Sequence, residues 1–143
     1  MAKKDGELTP MMKQFFEADL SGRIDVIKEG DTLNLGKHEL SFIAAPMIHW
    51  PEVMMTYEKS EKIFFSADAF GKFGALDFDD PEGWACEARR YYFGIVGKYG
   101  LPVQNLLKKT AALDIDKILP LHGPVLPMPG TELSYYLETY DKW

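Results

Sequence analysis

The sequence is short of what a covalent staple, a membrane or a nucleic acid would require. Its single cysteine, Cys86, has no partner for an internal disulfide. No apolar run approaches the roughly 18 residues that a membrane span needs, so no membrane association is expected. Lysine and arginine total 16 against 22 aspartates and glutamates, a net charge of -6, which argues against a surface built to neutralise phosphates. Nucleic acid is therefore not an expected partner. Behind the early lysines Lys3 and Lys4 there is no apolar stretch of the signal-peptide kind, and a reducing cytoplasm is the expected location. Histidine is scarce too, with three in the chain.

What is present suffices for one folded unit. With 143 residues and 46% hydrophobic composition the chain can bury a core without help. Thr9 and Pro10 read as the cap and first position of a short amphipathic helix with Met12, Phe15, Phe16 and Leu20 on one stripe. A β-rich region follows, with strands expected at Ile24 to Lys28, Thr32 to Leu35 and His38 to Ala45, the last with Leu40, Phe42 and Ala44 on one face. Val53 to Tyr57 and Lys62 to Ser66 form a further pair around the polar turn Glu58-Lys59-Ser60-Glu61. After an acidic loop from Phe70 to Gly83, a helix is expected from about Glu82 to Tyr99, stopping at Gly100. Pro102 opens another, roughly Val103 to Leu113. Lys117 to Pro120 reads as a short buried strand, and Leu133, Tyr136, Leu137 and Tyr140 share a final helical face. This order predicts an α/β (α+β) layered sandwich.

Two of the histidines sit in proline-rich peptides just past expected strand ends, Pro46-Met47-Ile48-His49-Trp50-Pro51 and Leu119-Pro120-Leu121-His122-Gly123-Pro124. Such loops are where layered α/β sheets place ligands. Between them, Phe64-Phe65-Ser66-Ala67-Asp68 sends a carboxylate out of an apolar strand, where an unpaired charge would be costly. Two imidazoles and a carboxylate are ligand types for zinc, iron or manganese. The spacing alone is equally consistent with a loop histidine and an aspartate capping the next segment, because no two candidates share one turn or knuckle.

Longer motifs shift that balance. Gly30-Asp31-Thr32-Leu33-Asn34-Leu35-Gly36, the His49 peptide, Phe65-Ser66-Ala67-Asp68-Ala69-Phe70-Gly71, and Glu87-Ala88-Arg89-Arg90-Tyr91-Tyr92 with the His122 peptide occur in one order. Together they resemble the second half of the metallo-β-lactamase-like domain of flavodiiron proteins. The resemblance covers nearly everything from about residue 10 onward. It implies one half of an αββα fold, with residues 1–143 forming a single partial domain. It further implies that His49 is a ligand of one iron, Asp68 the carboxylate bridging both, and His122 a ligand of the other. Either Tyr91 or Tyr92 would lie near the metals, and the other would pack in the core.

The family's first half supplies a His-x-Glu-x-Asp motif that is absent from this sequence; His38-Glu39-Leu40-Ser41 does not replace it. No flavodoxin domain is read, so FMN is not expected on this chain. The resemblance therefore implies an incomplete site for iron or zinc, with little activity alone. It also implies a homo-oligomer or a complementary chain carrying the missing half, and a flavodoxin- or rubredoxin-type electron donor. Phe42, Ile43, Phe64 and Phe65 are expected on a sheet face left open, the kind of surface that marks an interaction site. A non-catalytic homodimeric interaction domain is the alternative, and a metal-dependent hydrolase of the lactamase superfamily is a third reading.

Overall fold

The computed structural model describes residues 8–75, 77, 83–127, 135, 138–140 and 142–143. Six strands form one mixed sheet in sequential order: β1 (Thr32–Asn34), β2 (Glu39–Ala44), β3 (Met54–Glu58), β4 (Ile63–Phe65), β5 (Lys117–Leu119) and β6 (Leu126–Pro127). The first four are an antiparallel meander, β5 runs parallel to β4, and β6 returns antiparallel. A parallel neighbour demands a long crossover. That crossover holds the helices α2 (Trp84–Tyr91) and α3 (Gly100–Thr110); α1 (Leu8–Phe16) precedes the sheet.

Alternation along the strands sorts the residues into two faces. The register places Ile43 opposite Met55, Tyr57 opposite Phe64, Phe64 opposite Ile118 and Ile118 opposite Leu126. This face meets Ala88, Tyr91, Val96, Val103 and Leu106 of the crossover in one continuous core. Each fully buried Phe or Met contributes about 1.5–3 kcal/mol relative to exposure. On α2 and the turn after it, Trp84, Ala88, Tyr91 and Ile95 recur at helical spacing, which supplies the buried stripe. The opposite face carries Leu33, Leu40, Phe42, Met54, Thr56 and Phe65. It has no second layer of sheet among the described residues. Met12, Ile24 and Ile27 border it instead, leaving a groove of about 760 Å³.

The β3–β4 turn is built on Glu58, whose carboxylate accepts hydrogen bonds from the backbone N–H of Ser60 at 3.0 Å and of Glu61 at 2.6 Å. His38 Nδ1 lies 3.2 Å from the same carboxylate. Burial alone would push the Glu58 pKa up, but these bonds outweigh it and hold the carboxyl down at about 2.

Several sequence expectations need correction. Residues 24–28 do not form a strand; Ile24, Asp25 and Ile27 line the groove instead, and β1 pairs with β2 alone in the described sheet. The first helix already includes Leu8 and Thr9, so Thr9 is not its cap, and it ends at Phe16 with Phe15 78% exposed. Of its apolar stripe, Met12 borders the groove while Phe15 and Phe16 stay exposed. The long helix before Gly100 is instead α2, a π-helical turn at Tyr92–Val96 and a 3₁₀ turn at Gly97–Tyr99. Gly100 adopts helical angles and begins α3 rather than ending its predecessor. Phe42 and Phe65 do share the open face, but Ile43 and Phe64 point to the helices, as period-two alternation requires. Phe42 is also nearly covered, at 6% exposure. The strand β6 had no counterpart in the sequence reading. The expected helix start at Glu82, residues 76 and 78–82 of the acidic loop and the face of Leu133, Tyr136 and Leu137 lie outside the described residues. No described helix is long and apolar enough to cross a membrane.

Candidate metal centre

The topology explains why three peptides distant in sequence meet. Two antiparallel steps separate β2 from β4, and β5 is parallel to β4, so β2, β4 and β5 all run the same way. The loops that follow them therefore leave one end of the sheet, carrying His49, Asp68 and His122 respectively. Backbone bonds then fix the loops. Ala45 N donates to Val53 O at 3.0 Å and Met47 N to Trp50 O at 2.8 Å, closing the loop around His49. Leu121 N donates to Ala67 O at 2.8 Å and Lys72 N to His122 O at 3.1 Å, tying the β5 loop to the β4 loop on both sides of Asp68. The buried Ser66 hydroxyl donates to Ala69 O at 2.8 Å, and Phe70 N donates to the Tyr140 hydroxyl at 2.6 Å.

These loops are bent tightly enough to hold ordinary residues at positive φ: Met47 at 68°, Ala67 at 51° and Phe70 at 61°. Such backbone is strained by of order 1–3 kcal/mol per residue and persists where surrounding structure enforces it. The result is convergence of all three candidates. His49 Nε2 lies 3.5 Å from one oxygen of Asp68, Oδ2, and His122 Nε2 lies 3.4 Å from the other, Oδ1. The Asp68 side chain is 14% exposed, against 28% for His49 and 62% for His122. The carboxylate is therefore set inside and the imidazoles flank it, with His122 open to approach. Trp50 meets the His49 ring edge-on at 6.2 Å.

The donor chemistry fits part of a two-ion site. One carboxylate with a separate imidazole on each oxygen can bridge two cations, giving each position two donors. Among the described residues, no group of three His, Cys, Asp or Glu side chains converges as a single ion would require. Two donors fall short of the four that close a structural zinc site.

The two candidate tyrosines separate cleanly. The Tyr91 ring lies 6.2 Å from that of His122 and 5.1 Å from Phe73, and its hydroxyl is buried with no hydrogen-bond partner among the described residues. Burial, and secondarily the charge of Asp68, raise its pKa well above the usual tyrosine range, so it stays protonated. Tyr92 faces away, with its ring 4.6 Å from Tyr140 and 5.3 Å from Trp143 and its hydroxyl donating to Tyr140 O at 3.4 Å. Tyr92 is thus a core residue, and Tyr91 alone of the pair adjoins His122. His38 sits apart on Glu58. Gly71 was missed as a positioning residue: a Cβ there would lie 2.5 Å from Tyr91 Cζ. Its only signal was a glycine directly after an apolar strand-and-ligand segment.

A mixed sheet covered by helices on one face, with ligand-type side chains gathered at the ends of co-directional strands, is the architecture of a metallo-β-lactamase-like layered sandwich, of which this chain forms a part. The chain belongs to the family described as ODP family beta lactamase, whose model matches residues 6–123. It is 37% identical to an uncharacterised protein of Methanocaldococcus jannaschii over 122 residues, covering 82% of this chain and 30% of that protein. It is 35% identical to the nitric oxide reductase of Moorella thermoacetica over 130 residues, covering 82% of this chain and 31% of the relative. The rubredoxin oxygen:oxidoreductase of Desulfovibrio gigas superposes with a TM-score of 0.83 at 26% identity, covering 99% of this chain and 36% of that structure. The chain thus spans about a third of the length of these relatives.

Proposed function

We propose that this chain supplies the shared-carboxylate part of a two-iron site in a flavodiiron-type oxidoreductase acting on oxygen or nitric oxide. His49 gives an imidazole to one metal position, His122 to the other, and Asp68 spans both. The observation that carries the reading is the placement of the two Asp68 oxygens toward different imidazoles, at 3.5 and 3.4 Å. A nitric oxide reductase and a rubredoxin oxygen:oxidoreductase among the similar proteins support the substrate class. Iron held by imidazole and carboxylate supplies redox chemistry with positions open to a small ligand. Tyr91 offers a protonated hydroxyl beside the site, and Trp50 and Ile48 keep the His49 side apolar.

Two donors per position bind metal weakly, so the reading requires further ligands from outside these residues. Electrons come from a flavodoxin- or rubredoxin-type donor carrying its own cofactor, and FMN is not held by these residues. The working location is the cytoplasm. The test is elemental analysis of protein purified without tag histidines. Iron, or zinc in its place, is expected to co-purify and to fall by half or more in His49→Ala and His122→Ala. Metal content unchanged in both variants would end this reading. The small donor count favours one alternative, an interaction domain that keeps the three residues without metal; protein that stays metal-free when supplied with iron would establish it.

A further inference from the structure

We infer that Tyr140 is a positioning residue for the metal site: its hydroxyl and ring hold the turn that aims the Asp68 carboxylate at the two imidazoles. The inference rests on the metal reading above and adds to it a residue far along the chain from the ligand it serves.

Asp68 sits in a turn that its own sequence does not favour. Ala67 before it and Phe70 after it both lie at positive φ, 51° and 61°, although neither is a glycine. Such residues leave that region unless other contacts enforce it. Within the turn, Ala69 N donates to Ser66 O at 3.1 Å and the Ser66 hydroxyl donates to Ala69 O at 2.8 Å. On the near side of Asp68, Leu121 N donates to Ala67 O at 2.8 Å, which ties Ala67 to the His122 loop. On the far side, Phe70 N donates to the Tyr140 hydroxyl at 2.6 Å, and the Phe70 ring stacks on the Tyr140 ring at 4.9 Å with the planes 9° apart. Bond and stack together hold both the backbone and the side chain of the residue that closes the turn. Releasing Phe70 would let the turn swing Asp68, and a carboxylate whose two oxygens face different imidazoles at 3.5 and 3.4 Å tolerates little rotation.

Tyr140 can serve as an anchor because it is itself fixed. It is buried, with its ring 4.6 Å from that of Tyr92 and 6.1 Å from that of Trp143, and its carbonyl accepts from the Tyr92 hydroxyl at 3.4 Å. Tyr92 in turn lies against Gly97, where a Cβ would come 2.9 Å from Tyr92 Cε1. Neighbouring residues at the end of α2 therefore brace the site from two sides. Tyr91 packs beside His122, and Tyr92 acts through Tyr140 on the Asp68 turn. A phenylalanine at 140 would fill the same place in the aromatic cluster; what it would lack is the acceptor for Phe70 N.

The experiment is titration of the full metal-free chain with cobalt(II) under argon, up to millimolar concentration. It reads the affinity and the visible d–d bands, which report the ligand geometry around the ion. Tyr140→Phe is expected to weaken cobalt binding about tenfold, the lower end of what is lost when a group supporting a ligand is removed, and to alter the bands. A merely structural role would lower stability and leave the bands unchanged. Tyr57→Phe is the control. The Tyr57 hydroxyl also donates to a backbone carbonyl, Asp114 O at 2.5 Å, but toward the end of the sheet away from the three loops. Its loss should lower the urea midpoint and leave cobalt affinity within about twofold, since distant sites couple weakly. Trp143→Ala loosens the seat of Tyr140 while keeping its hydroxyl; it should weaken binding in the same direction by less, and it decides the matter if circular dichroism shows Tyr140→Phe unfolded. Affinity unchanged in Tyr140→Phe and Trp143→Ala, or lowered as much in Tyr57→Phe, would overturn Tyr140 as a positioning residue and leave the metal reading standing. A wild-type chain that binds no cobalt would overturn the metal reading, and this inference with it.

Discussion

Tyr91→Phe removes one atom whose energetic role can be worked out from its surroundings. The Tyr91 side chain is fully buried between the helix core and Gly71, and its hydroxyl has no hydrogen-bond partner among the described residues. A buried polar group without a partner carries the loss of its hydration uncompensated, about 1–3 kcal/mol. Phenylalanine keeps the ring, the edge contact with Phe73 at 5.1 Å and the approach to His122 at 6.2 Å. The packing lost with one oxygen is small beside the desolvation regained. Tyr91→Phe should therefore stabilise the metal-free protein, by about 1 kcal/mol taking the low end of that range. With an m-value of about 2 kcal/mol per molar urea, the midpoint should rise by roughly 0.5 M. The melting temperature should rise by about 3 °C for a chain of this size. Urea unfolding in chelator, followed by circular dichroism with the m-value compared between the proteins, measures it. A midpoint lowered by 0.5 M or more at equal m would show that the hydroxyl is bonded in the native state and would refute the reasoning.

Two further outcomes test the frame around the site. In Gly71→Ala the new Cβ would lie 2.5 Å from Tyr91 Cζ and 2.6 Å from Cε1, so a buried ring must move; unfolding should show a loss of about 1–3 kcal/mol, persisting in a Tyr91→Phe background because the ring carbons remain. Glu58 governs the acid limb. Its folded pKa of about 2 lies below the usual carboxylate value, so its contribution to stability is complete above about pH 4.3 and is lost as the pH falls through 2. Glu58→Gln should lower the urea midpoint at neutral pH and flatten the fall in stability over that acid window, and parallel pH profiles for the two proteins would contradict it.

Much of the sheet was legible because its strands obey simple alternation. Leu40, Phe42 and Ala44 share a face as period two requires, and the Glu58 turn announced itself through four consecutive polar residues. The two histidine peptides were legible as proline-rich segments following strands and Asp68 as a carboxylate leaving an apolar strand, and the topology brings the three together. What alternation could not decide was tertiary. Ile24, Val26 and Ile27 look like strand residues, yet the segment adds no strand to the sheet, since strand formation needs a neighbouring edge as well as apolar composition. Gly100 looked like a helix stop, but a glycine with helical angles terminates nothing, and the π and 3₁₀ turns before it absorb the change between α2 and α3. Tyr91 and Tyr92, adjacent on one helix, could be told apart only once Gly71 and Tyr140 showed which side each ring occupies.

The site's placement bears on how a chain one-third the length of its relatives can still hold ligands in order. Every backbone bond that fixes the three loops comes from residues of this same chain: Val53 and Trp50 for the His49 loop, Ala67 and Lys72 for the His122 loop, Tyr140 for the segment after Asp68. The helix-covered face below them contains Phe64, Ile118 and Met55, all essentially buried, so the strands that aim the loops are anchored in a core that no missing layer provides. The strained residues Met47, Ala67 and Phe70 are held by that same framework. The loop backbone that carries His49, Asp68 and His122 is thus held by bonds within these residues. What a cover over the open face must supply is donors and apolar area, and a partner lacking either would leave the loops ordered and the metal loosely held.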